Sequence, residues 1–141
     1  MTIIYVAVSK ETQRWASDVG LTKHVYKLGF AEGADKKAAE AAIAALNASN
    51  HAGAADWKLI KFQPVESVDE DAAYQRLAKR ARMADPGYYP HLKGARGVFK
   101  IKPADVEAQM LVRRAMNDPD AKPAKSKALD VAEFLIRNAL A

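Results

Sequence analysis

The residues in this chain best suited to chemistry are cations. Between positions 74 and 102 stand Arg76, Lys79, Arg80, Arg82, Lys93, Arg96, Lys100 and Lys102, against one acid, Asp85. Eight cations and one acid make this stretch +7; the whole chain is +5, so the rest is −2. Charge gathered into one region is the electrostatic footprint of a polyanion partner such as nucleic acid. Tyr88, Tyr89 and His91 interleave with Lys93 and Arg96. Basic side chains contact phosphates, and aromatic ones stack on unpaired bases. The predicted nucleic-acid-binding set is therefore Arg76, Lys79, Arg80, Lys93 and Arg96, the alternative being a basic face that merely meets water.

A second chemical group is Tyr5, on an apolar stretch. A free tyrosine titrates near 10, so it would serve as a base only beside a metal or a cation; otherwise it is a packed aromatic. Several chemistries are excluded. The chain has no cysteine, which removes disulfides, thiolate metal sites, iron–sulfur clusters and a thiol nucleophile. His24, His51 and His91 lack metal-ligand spacing and read as surface or loop residues. Ser9, Ser17 and Ser67 sit in no nucleophile elbow, and no glycine-rich phosphate loop is present.

These residues need a scaffold, and 141 residues at 50% apolar suit one domain that buries roughly two thirds of its unfolded surface. The N-terminus enters a strand pattern with no leader-like region, and no apolar run approaches the roughly 18 residues that span a bilayer. The expectation is a cytoplasmic protein with no membrane partner.

Residues 2–8 and 23–30 read as strands from their β-branched and aromatic content, with 9–20 a polar loop or short helical turn. Asp35 caps an alanine-rich helix over 36–47. A third strand covers 56–62, with Trp57 and Leu59 on one face and Lys58, Ile60 and Phe62 on the other. A second helix opens at Val68 or Asp69 and runs to Met83, burying Ala73, Leu77, Ala81 and Ala84, until Asp85-Pro86-Gly87 stops it. A loop covers 88–97 and a short strand 98–101. Pro103 begins a helix to Met116 with Val106 and Met110 on one face. Residues 117–125, with Pro119 and Pro123, form a linker. Ser126 caps a last helix, striped by Ala128, Val131, Ala132, Leu135 and Ala139, that either docks on the domain or meets a second copy or another protein.

Tyr5 on the first strand, Tyr26-Lys27-Leu28-Gly29 on the second and Gly97-Val98-Phe99-Lys100-Ile101 after the second helix together resemble the GIY-YIG nuclease superfamily, in its phage-type and bacterial K-I-G branch. The resemblance covers roughly residues 3–110. It implies an α/β fold of the α+β kind: a small, mostly antiparallel sheet of three to four strands flanked by helices, plus a C-terminal helix. The domain would be 1–116, the linker 117–125 and the last helix 126–141.

The resemblance also implies an activity, Mg²⁺-dependent hydrolysis of DNA phosphodiesters. A metal lowers the pKa of its water, and a cation beside the non-bridging oxygens stabilises the transition state. Tyr5 takes the tyrosine of the first motif, although Ile3 stands where that motif has glycine, and Lys27-Leu28-Gly29 matches the second. The helical arginine of the family falls near Lys37, or at Ala42 in another alignment. Its metal carboxylate falls at Tyr74 or Gln75, neither an acid; Glu70, one turn upstream, is the candidate ligand. The implied catalytic residues are Tyr5, Lys27 and Lys37, with Glu70 on the metal. Loss of the carboxylate leaves the alternative of an inactive nucleic-acid-binding or protein-interaction module on the same fold.

Overall fold

The computed structural model describes residues 1–140. The chain runs β1 (Thr2–Val8), α1 (Lys10–Asp18), β2 (Val25–Glu32), α2 (Lys36–Ala48), β3 (Lys58–Val65), α3 (Glu70–Ala78), β4 (Arg82–Met83), β5 (Val98–Lys100), α4 (Pro103–Ala115) and α5 (Ala128–Leu140). Short 3₁₀ turns lie at His51–Gly53 and Pro90–Leu92. The strands form one antiparallel sheet in the order β3-β1-β2-β5-β4. The α+β class is as expected; the sheet has five strands rather than three to four, because Arg82–Met83 adds an edge.

Each sheet face is apolar, so each carries helices. Ile4 and Val6 of β1 and Tyr26 and Leu28 of β2 pack with Ala73 and Leu77 of α3, Val106 of α4 and Val131, Phe134 and Leu135 of α5. Tyr5, Ala7 and Val25 face the other way, onto Ala16 of α1, Ile43 and Leu46 of α2 and the loop residues Trp57, Leu92 and Ala95. From Val131 onward the predicted stripe of α5 is thus covered by its own chain, while Ala128 is exposed. Of the two roles expected for this helix, docking on the domain is the one seen, tied further by Arg76 Nε, which donates to the Ala139 carbonyl at 2.7 Å.

Local signals set most of the element ends. The Asp35 side chain accepts from the Ala38 amide, the expected cap, and Asp69 accepts from the Ala72 amide in the same way. Ser126 does not cap α5: its amide and hydroxyl both donate to Glu107. Residues 10–18 form a helix, longer than the loop or short helical turn expected there. Ser9 accepts from the Thr12 amide and donates to the Asp56 carboxylate, which also accepts from the Glu11 amide, so the helix start is clasped by a residue 47 positions away. The register between β1 and β3 shifts between Val6 and Ala7. That bulge puts Leu59 and Phe62 on one face and Ile60 on the other, correcting the simple alternation predicted for this strand. Helix α3 ends at Ala78 instead of Met83. Ala81 and Ala84 are buried as predicted, but from the positions that flank β4.

Candidate functional site

Strand β5 pairs with β2 only at Val25, Tyr26 and Lys27. Beyond that point Gly97 turns the chain away, its carbonyl accepting from the Leu28 amide at 2.8 Å, and the rest of β2 is left without a partner on that side. At this open edge lies a cleft of about 520 Å³ lined by Lys27, His51, Asp69, Glu70, Asp71, Tyr74, Gly94 and Arg96. Four segments meet here: the middle of β2, the 3₁₀ turn at His51–Gly53, the first turns of α3, and the loop before β5.

Two glycines permit the meeting. Tyr5 and Gly29 are cross-strand partners, and the Tyr5 ring lies where a side chain at 29 would be. Gly97 has φ +90°, and a Cβ there would come within 2.4 Å of the Leu28 carbonyl, 2.8 Å of the Tyr74 hydroxyl and 3.1 Å of the Lys27 ammonium. Only glycine allows that approach in that backbone conformation.

Lys27 is nearly fully buried and donates to the Arg96 carbonyl. Burial pushes its pKa down to about 8; the Glu70 carboxylate partly offsets this and the Arg96 guanidinium adds to it. An ammonium has three donors, so one committed bond leaves two for an anion in the cleft. Arg96 lies 2.6 Å from Asp71 and 4.6 Å above the Tyr74 ring. Tyr74 donates to the Leu28 carbonyl at 3.0 Å. Burial, then the Glu70 charge, raises the pKa of Tyr74, and the same two causes push Tyr5 up to about 12. Both phenols are donors at neutral pH. His51 is held neutral, pushed down to about 4 by burial and by Lys27, and its Nε2 is enclosed without a partner.

The structure brings together Tyr5, Lys27, Glu70 and Arg96 from the residues chosen by sequence. Lys37 is exposed in the first turn of α2 and is not in the cleft wall. Arg76 is committed to Ala139; Lys79 and Arg80 border a different groove, and Lys93 is exposed outside the cleft. Sequence reasoning missed His51 and the placement of Tyr74 in the cleft wall. Asn50 and Ala52 adopt positive φ around His51, and an Asn-His-Ala-Gly run was the available sign of a tight turn there. No group of three His, Asp or Glu side chains converges on a metal-sized site among the described residues. Asp69 caps α3 and Asp71 pairs with Arg96, which leaves Glu70 as the uncommitted carboxylate of the cleft.

Compared with protein-family models, curated proteins and solved structures, the chain gives no match in any of the three. Among the described residues no helix is long and apolar enough to cross a membrane.

Proposed function

We propose that this chain is a GIY-YIG-like nucleic-acid-binding protein whose cleft receives a backbone phosphate, most simply of DNA. The observation that carries the reading is Lys27, a buried ammonium beside the Arg96 guanidinium, both lining one polar cleft. A buried cation is expensive without an anion, and a phosphate oxygen would use the donors that Lys27 does not spend on the Arg96 carbonyl. Tyr74, its hydroxyl donating to the Leu28 carbonyl, forms part of the cleft wall, and Tyr5 is buried beside Gly29. The proposal includes a cytoplasmic setting, which the absence of cysteine suits.

A second reading, divergent phosphodiester cleavage, is favoured by Glu70, whose carboxylate lines the cleft without a protein partner. Mg²⁺ is commonly bound by one or two carboxylates together with substrate phosphates, so Glu70 is the residue that would hold it. When bound, such an ion supplies an activated water and charge neutralisation. Lys27 and Arg96 would hold the phosphate oxygens, and the Tyr5 hydroxyl, kept protonated by burial, would serve as a hydrogen-bond donor. Lys37, exposed on α2, takes no part.

The experiment is incubation of the protein with labelled single-stranded, duplex and branched DNA in Mg²⁺, Mn²⁺ or EDTA, with binding and cleavage read on one gel. Binding that Lys27→Met weakens is the expected result. Metal-dependent cleavage abolished by both Glu70→Gln and Tyr5→Phe would establish the second reading. No binding at low salt would overturn both.

A further inference from the structure

A separate groove of about 650 Å³ lies along the β4 edge of the sheet, bordered by Lys79, Arg80, Arg82, Lys100 and Lys102, with Asp105 its one carboxylate. Two of these cations are forced together by the fold. Arg82 and Lys100 are direct cross-strand partners in the β4–β5 pair, and like charges placed opposite one another destabilise a ladder. Lys79 and Arg80 stand at the C-terminal end of α3, where the helix dipole welcomes positive charge. Arg82, Lys100 and Lys102 have no such compensation. Three carboxylate ion pairs occur among the described residues, Lys36–Glu40, Lys61–Glu133 and Arg96–Asp71, and none includes a cation of this groove. Arg82 and Lys100 also line an adjoining hollow walled by Tyr88 and Tyr89. Tyr88 is 75% exposed, and its ring meets that of Tyr89 edge to face.

The geometry points to a second nucleic-acid surface, in which the groove tracks the sugar-phosphate backbone of a single strand while Tyr88 stacks on an unpaired base. The inference rests on the nucleic-acid reading above but not on the cleft. Several unneutralised cations in one channel concentrate an anionic polymer and release its counterions, and an exposed ring beside them accepts the face of any base. A duplex keeps its bases stacked inside and can use the cations only. The preference for single strands therefore depends on Tyr88, and the salt dependence on the groove.

The test is fluorescence anisotropy with a labelled oligothymidylate of about 20 nucleotides and a duplex of equal length, across a salt series, with circular dichroism confirming each fold. Wild type is expected to prefer the single strand. Arg82→Gln with Lys100→Gln should lower the slope of log affinity against log salt by about 1.4, near 0.7 per lost contact. Tyr88→Ala should weaken single-strand binding about 5- to 100-fold with the slope unchanged. If the first pair fails to fold, Lys100→Gln with Lys102→Gln carries the same expectation. An unchanged slope in the groove variants, with Lys27→Met alone weakening binding, overturns the second surface and leaves the cleft. Groove variants that weaken binding while Lys27→Met does not leave this surface and overturn the cleft. A wild type that binds neither oligonucleotide overturns both.

Discussion

The cleft and the groove both carry cations, yet they hold charge in opposite ways: the cleft sets Lys27 and Arg96 against Asp69, Glu70 and Asp71. In the cleft one ammonium, Lys27, is buried and surrounded by partly compensating groups: Glu70 opposes it and Asp71 pairs with Arg96. In the groove five cations face one carboxylate. A buried charge is strong because water does not screen it, and for the same reason few can be tolerated. Exposed charges are individually weak, so a surface that acts through them needs several. The difference teaches that, on the proposed reading, the cleft would take one anionic group at one place and the groove an anionic chain.

The largest effect separating the two regions should come from Gly97→Ala. The new methyl would press on the Leu28 carbonyl in a left-handed backbone, which breaks the cleft while leaving the groove residues in place. A loss of about 3 kcal/mol is expected, read by urea denaturation. Next comes Lys27→Met, with the opposite sign. Removing a buried ammonium should stabilise the protein by about 2 kcal/mol at pH 7 while weakening phosphate binding. The pH dependence is specific. The folded value of about 8 lies below the ordinary 10.5, so the folded state holds fewer protons between those limits and wild-type stability rises with pH there. The advantage of the methionine variant is therefore full below pH 8 and closes toward pH 10.5. His51 gives the matching acid limb: with a folded value of about 4 against 6.5, wild-type stability falls as pH drops through that window, and His51→Gln should flatten the fall in the thermal midpoint.

Much of the scaffold was legible in sequence, and the reasons are local. β1, β2 and α2 announce themselves by composition, and Asp35 and Asp69 cap the amides three residues on. Tyr5, Lys27 and Gly29 lie together because the β1–β2 register places them on one face, a consequence of two strands read correctly. What sequence hid was distant. The start of α1 depends on Asp56 accepting from Ser9, and the faces of β3 depend on a bulge set by pairing with β1. His51 reads as a loop histidine until Trp57 and Lys27 are packed around it. Arg96 and Glu70 meet Lys27 only because Gly97 ends the β5 pairing where it does. The alanine stripe overran α3 because burial continues through Ala81 and Ala84 after the helix has stopped.

Tyr74→Phe probes the junction of β2, α3 and the loop before β5 at smaller scale. It removes the hydrogen bond to the Leu28 carbonyl and keeps the ring under Arg96, so a loss of about 1 kcal/mol in denaturation is expected. The smallest effect belongs to the groove. Arg82→Gln relieves the repulsion across from Lys100 and should raise stability by about 0.3 kcal/mol at low salt. Its response to salt tests the contrast itself. Repulsion between exposed cations is screened as the Debye length shrinks to about 3 Å near 1 M, so this gain should vanish there, whereas the gain from Lys27→Met arises from desolvation and should persist. Differential scanning calorimetry of both variants at low and high salt reads the two behaviours side by side. If the Arg82→Gln gain persisted at high salt, the groove cations would owe their cost to burial, and the division between a pocket for one anion and a track for many would fail.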